Sequence, residues 1–233
     1  MPATRVLALC CALLLPTAAR AALPDWSGTW FPTGSKAADP NAGATPSADP
    51  SVIQLTAKAL AMRAAVKADP HWIENAARCV PRGMPSDMAP PNMAVEFLLS
   101  PERVTTIAEN GFVRRIYTDG RRHPADPDPT FAGNSVGRWE ADTLVVDTIA
   151  ITSDAELAPQ VYETGKTRIV ERMRRISPDR FEIDGTVTDP DLLKRPWTYR
   201  QLFRRATTPM GEFVCTQNNR DGTGKVDLTP PAG

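Results

Sequence analysis

Few residues in this chain are of a type and spacing that could do chemistry. Ser135 stands in Gly133-Asn-Ser-Val-Gly137, the G-x-S-x-G pattern that presents a nucleophile when a strand runs into the first glycine and a helix leaves the second. Here the context is reversed. "HPADPDPTFA" precedes Gly133 and cannot be a strand, while "RWEADTLVVDT" follows Gly137 as a hairpin. His71 and His123 are the only histidines, and both precede the serine, whereas in that hydrolase fold the base follows it. The match is therefore read as turn chemistry, with the glycines letting a loop turn tightly into the next strand. Without H-E-x-x-H or a paired C-x-x-C, the two histidines supply no metal-ligand set, and no Gly-rich loop opens a helix to cradle a phosphate. No metal and no cofactor are expected.

A carboxylate is the better candidate. In "TRIVERMRRI", Ile169, Glu171 and Met173 share one face of a strand, so Glu171 sits on an apolar side. There it must find a partner or take a raised pKa, and a raised pKa suits general acid or base work near neutrality. The competing reading is a structural ion pair with an inward arginine, Arg114 or Arg115. His123, on the loop after "RRIYTDGRR", and Asp147, in "LVVDT", are the candidate assisting groups. In "RPWTYRQLFRR", Trp197, Tyr199, Gln201 and Phe203 alternate on one side. With Arg114, Arg115 and Tyr117 they are the candidate ligand-binding set of an aromatic-walled interior.

The elements that must position these groups are mostly strands. After residue 93 the runs "VEFLL", "VTTIAE", "FVRRIYTD", "GRWE", "TLVVDTIAI", "TRIVERMRRI", "RFEIDGTVT", "WTYRQLFRRA" and "EFVCTQ" are separated by short turn signals such as Asn110-Gly111 and Ala141-Asp142. About nine strands in an antiparallel meander predict a barrel or a strongly bent sheet, since open edges are otherwise exposed. One register can be written out. A loop at Ser177-Pro178-Asp179 sets Met173 opposite Ile183, Ile169 opposite Val187, Arg174 opposite Glu182 and Arg172 opposite Asp184. Glu171 then faces Gly185, whose missing side chain leaves room beside the carboxylate. Upstream, Leu55, Ala59, Met62 and Val66 recur at helical spacing until Asp69-Pro70, a second helical piece is expected at "PHWIENAAR", and "CVPRGMPSDMAPPN" is too rich in proline for regular structure.

The amino terminus sets the compartment. Arg5, an apolar run from Val6 to Leu15 and Ala19-Arg20-Ala21 form a secretory signal with an A-x-A cleavage site, which predicts an exported, periplasmic protein without an inserted span. Removal of residues 1–21 leaves 212 of the 233, room for one domain: an irregular arm with one short strand over 22–52, a helix and barrel over 53–221 and a tail over 222–233. Arg5 and Arg20 leave with the signal, taking 27 basic and 27 acidic residues to a net charge of −2, which offers no field for nucleic acid or an anionic membrane. Cys79 and Cys215 are then the remaining cysteines, and in an oxidising compartment a bridge between them is the economical arrangement; two separate buried thiols are the alternative. A loop of that length would constrain the unfolded chain by roughly 4–5 kcal/mol.

Two resemblances rest on these residues. "DWSGTWFP" resembles the amino-terminal G-x-W of lipocalins, with Gly28 and Trp30 in place, and implies a tryptophan closing one barrel end against a basic side chain. More broadly, "CVPRGMP", "VRRIYTDGRRHP", "NSVGRWEADTLVVDT", "RPWTYRQLFRR" and "FVCTQNNRD", over roughly residues 79–221, resemble a family of secreted bacterial proteins of uncharacterised activity. That family reads W-E-G-D-T where this chain has Trp139-Glu-Ala-Asp-Thr143. The resemblance implies a single exported domain and supplies no catalytic residues. Three functions stay open: a binder of a small apolar or aromatic molecule, a cofactor-independent lyase or isomerase using Glu171 with His123 or Asp147, and an envelope structural or adaptor protein whose proline-rich arm docks on a partner.

Overall fold

Alternation of apolar and polar side chains is carried directly into strands. In β9 (Arg168–Ser177), Ile169, Glu171 and Met173 are buried while Arg168, Val170, Arg172 and Arg174 are exposed. A computed structural model describes residues 25–33, 53–70, 78–88 and 93–215. The expected signal peptide, most of the arm, the helical piece with His71 and the tail lie outside these residues.

Nine strands close into one barrel in the order β1 (Gly28–Pro32), β11 (Trp197–Arg205), β10 (Arg180–Thr188), β9, β6 (Thr143–Ile149), β5 (Asn134–Glu140), β4 (Val113–Tyr117), β3 (Arg103–Ala108) and β2 (Val95–Ser100), which pairs β1 again. Closure removes the unpaired edges that a sheet of this size would expose. β7 (Glu156–Ala158) and β8 (Val161–Tyr162) form a separate hairpin that the sequence reading missed. From Arg175 opposite Phe181 onward the β9–β10 register is as written out, including Met173 opposite Ile183, Arg174 opposite Glu182 and Glu171 opposite Gly185; at the turn Ser177 pairs with Arg180 instead of lying in the loop, and the register shifts there. Arg174 pairs with Glu182 at 2.5 Å, but Arg172 turns to Glu140 and leaves Asp184 to Arg200.

Four expectations need correction. The short strand placed in the arm is a barrel stave, with Trp30 opposite both Arg205 and Val95. "EFVCTQ" is not a strand at residues 212–215, where the chain instead delivers Cys215 to Cys79 across a Cα–Cα distance of 5.7 Å. The meander is broken once: β4 and β5 run parallel, meeting at Ile116–Ser135 and Tyr117–Val136 alone. Parallel neighbours need a long crossover, and residues 118–133 supply it. Finally, the helix is α1 (Ala57–Ala68), a turn shorter than the periodicity suggested. The Thr56 hydroxyl accepts from the Ala59 amide and ends the extended chain there. Among the described residues no helix is long and apolar enough to cross a membrane.

The barrel interior is filled by side chains. Phe181 is the hub of an aromatic cluster with Trp26, Trp30, Phe97 and Phe203, at centroid separations of 4.9–5.9 Å, and all five are fully buried. Burying each such ring is worth about 1.5–3 kcal/mol. The Arg205 guanidinium lies 4.5 Å over the Trp30 ring and donates to the Ser27 carbonyl.

Candidate functional site

Glu171 reaches the barrel interior from β9 and meets Arg114 from β4 at 2.5 Å, both with no exposed surface. The guanidinium also donates to Thr148 Oγ1 at 2.7 Å and Ser135 Oγ at 3.1 Å, and it touches Met88 Sδ at 3.4 Å. The other Glu171 oxygen accepts from the Tyr199 hydroxyl at 3.0 Å. Every charged atom in this buried pair thus has a partner, which offsets the cost of taking two ions out of water. Burial pushes the Tyr199 phenol well above its usual pKa, and the Glu171 charge adds to the rise, so it remains a proton donor. The room expected at Gly185 is taken by this tyrosine: a Cβ there would lie 2.1 Å from its ring. Ser135 is an interior hydrogen-bonding residue held by Arg114 and Thr148, and His123 is not among its partners. Gly133 does turn the loop, at φ +66 with no space for a side chain. Gly137, in contrast, lies within β5, where Ile116 and Leu144 press against its Cα.

His123 and Asp147 come together, but on the other face of the sheet. Asp147 points outward from β6, with Arg168 donating to both carboxylate oxygens at 2.7 Å and His123 Nε2 at 3.4 Å; His123 Nδ1 lies 2.7 Å from Asn134 Oδ1. Partial burial works to raise the Asp147 pKa, yet Arg168, aided by His123, outweighs it and holds the carboxyl below the usual range. Glu171 on the inside and His123 with Asp147 on the outside do not share a site.

The proposed ligand-binding residues divide by strand alternation. Arg114, Trp197, Tyr199, Gln201 and Phe203 are interior, with Trp197 and Tyr199 at 5.6 Å and the Gln201 amide donating to the Leu202 carbonyl. Arg115 and Tyr117 project outward, into a cleft of about 760 Å³. This volume falls in the range of small-molecule sites. Its base is the outer side of β4, from Val113 through Arg115 to Tyr117. One wall is Thr130–Ser135, which pairs with β4 at the seam and splays from it below Ile116. The roof is the proline-rich run Val80–Asp87, tied down by Met84 N–H to the Phe131 carbonyl and Glu156 N–H to the Arg82 carbonyl. Asp87 fixes the roof's turn by accepting from the Gly83 amide at 2.8 Å and from Asn110 at 3.3 Å; burial raises its pKa. Phe213 and the Cys79–Cys215 bridge close the remaining side. Phe112, Phe131 and Phe213 were not singled out in the sequence. The aromatic content of the three loops was the available signal, but nothing in it says that they meet.

A second group of acids is sealed between the β7–β8 hairpin and the turn before β11. Glu163 and Asp189 both contact Thr167 Oγ1, the latter at 2.8 Å, and Asp189 also accepts from Thr164 and from the amides of Asp191 and Leu192. One hydroxyl carries one proton, so Thr167 cannot donate to two carboxylates. Asp189 keeps three other donors, Thr164 and two amides, which leaves the Thr167 hydroxyl to Glu163. Burial pushes Glu163 up to about 8, against the Thr167 hydrogen bond and with the Asp189 charge adding to the rise. Among the described residues no group of three or more His, Cys, Asp or Glu is arranged to hold a metal.

No protein-family model matches the chain, and no curated protein matches it. Among solved structures it is similar to the wild-type fluorescent protein UnaG, at 16% identity over 57% of this chain and 89% of that one, with a TM-score of 0.31.

Proposed function

We propose that this protein is an exported binder of small apolar or aromatic molecules, and that the ligand occupies the cleft at the β4–β5 seam. The observation that carries the reading is the cleft itself: about 760 Å³, outside a barrel whose interior is filled by side chains, and walled by Phe112, Val113, Phe131 and Phe213. Apolar walls with a few fixed polar groups are what a small-molecule site requires. Export rests on the amino-terminal sequence and is supported by the Cys79–Cys215 bridge, which persists in an oxidising compartment.

The test is fluorescence titration of the oxidised protein with 1-aminoanthracene, a neutral aromatic probe. Saturable binding in the micromolar range is expected. Val113→Asp, which places a charge on the cleft base without entering the barrel, should weaken it at least tenfold, as should Phe213→Ser at the closing side. Full affinity in both variants, each with wild-type circular dichroism, would remove the ligand from the cleft.

A further inference from the structure

The cleft holds a cation with no counter-charge paired to it among the described residues, whereas several other outward arginines of the barrel are paired. Arg175 of β9 donates to the Asp25 carbonyl, while three outward arginines of that strand meet a carboxylate: Arg168 meets Asp147, Arg172 meets Glu140 and Arg174 meets Glu182. Arg200 of β11 meets Asp184 in the same way. Arg115 does not. Its cross-strand neighbour on β3 is Thr105, and on its other side the sheet parts at the seam, so no strand brings a carboxylate to it. Among the described residues the Arg115 guanidinium has no ion-pair partner, although it stands in the middle of the cleft base between Val113 and Tyr117. The acid of the cleft, Asp87, is committed to Gly83 and Asn110 in the roof. Tyr117 is capped by Arg121 at 4.0 Å, and Asp119 holds that arginine in a two-pronged pair.

We infer that the ligand is an amphipathic organic acid, its carboxylate paired with Arg115 and its apolar body lying along Phe112, Phe131 and Phe213. The inference rests on the small-molecule reading above. A guanidinium and a carboxylate form parallel N–H···O bonds, and flanking apolar walls exclude the water that otherwise screens such a pair. A neutral ligand of the same shape would leave the guanidinium half-covered and unpaired, so the site discriminates by charge as well as by bulk.

Two probes that differ in charge separate the possibilities: cis-parinaric acid and its methyl ester, titrated by fluorescence into wild type, Arg115→Gln and Arg115→Lys. In wild type the acid should bind about tenfold more tightly than the ester, with a preference that shrinks as salt is added. Arg115→Gln should bring the ratio of acid to ester affinity down to about one, while Arg115→Lys keeps part of the preference. If acid and ester bind alike in wild type, the acid inference falls and the binding reading stands. A preference that survives Arg115→Gln also overturns the inference, by placing the carboxylate elsewhere. If neither probe nor 1-aminoanthracene binds, the binding reading falls and takes the inference with it.

Discussion

Arg114 and Glu171 should be coupled in stability far beyond the sum of their separate contributions. Arg114→Met removes the cation and leaves Glu171 at zero exposure with the Tyr199 hydroxyl as its one remaining partner. Stranding a buried charge in this way is expected to cost about 3–5 kcal/mol. Glu171→Gln instead leaves the guanidinium with Ser135, Thr148, Met88 and a neutral amide oxygen, for about 2–3 kcal/mol, the loss expected when a hydrogen bond to a charged group becomes a neutral one. The double variant has no buried charge left to strand. It should be no worse than Arg114→Met alone, a coupling of about 2 kcal/mol. Urea unfolding of the four oxidised proteins at pH 7, followed by emission of the buried Trp26, Trp30 and Trp197, measures the cycle. Effects that add to within about 0.5 kcal/mol would mean that the two side chains do not meet in the folded protein.

Glu163 gives a pH dependence of definite sign. Its folded pKa of about 8 lies above the ordinary carboxyl value of 4.5, so the stability tied to its proton is fully present below pH 4.5 and is lost as pH rises through 8. Stability should fall over that interval by a free energy on the order of 5 kcal/mol, lowering the melting temperature, and Glu163→Gln, which keeps an acceptor for Thr167 and has no proton to lose, should flatten the fall; identical slopes would refute the assignment to Glu163. At the β5–β6 turn, exposed Ala141 is held at φ +55, a left-handed conformation that costs an alanine about 1–2 kcal/mol. Ala141→Gly should therefore raise the urea midpoint by an equivalent of about 0.5–1 kcal/mol once the glycine's extra unfolded-state freedom is deducted, and an unchanged or lower midpoint would count against the strain.

Local rules reach as far as local contacts do. The β9–β10 pairing could be written down because a short turn fixes its offset and both faces agree on it, from Ile169–Val187 to Arg174–Glu182. The occupant of the space at Gly185 could not, because Tyr199 comes from β11, beyond a turn at residues 189–196 whose conformation sets no register in sequence. Likewise Gly28–Pro32 reads as an isolated strand until both of its neighbours, 65 and more residues away, are in place. Alternation within "VRRIY" shows that Arg114 and Arg115 face opposite sides; it does not say which is inside. The cleft was hidden for a related reason. It is assembled where a parallel pairing fails to continue, from loops without periodicity, and one of its sides exists because two cysteines 136 positions apart are joined.

The disulfide also has a topological consequence. It turns residues 79–215 into a covalent ring that carries every stave from β2 to β11, while β1 lies outside the ring and is wedged between the ring's first and last strands. The oxidised molecule is a hoop with a gap and a separate keystone, and the keystone segment bears Trp26 and Trp30, two of its most deeply buried side chains. A shortened chain that begins at Ile53 and keeps the ring should then accept residues 25–33 as a peptide supplied from outside. Strand exchange between two copies would pass through β1, the one stave that can leave the barrel without drawing the ring open.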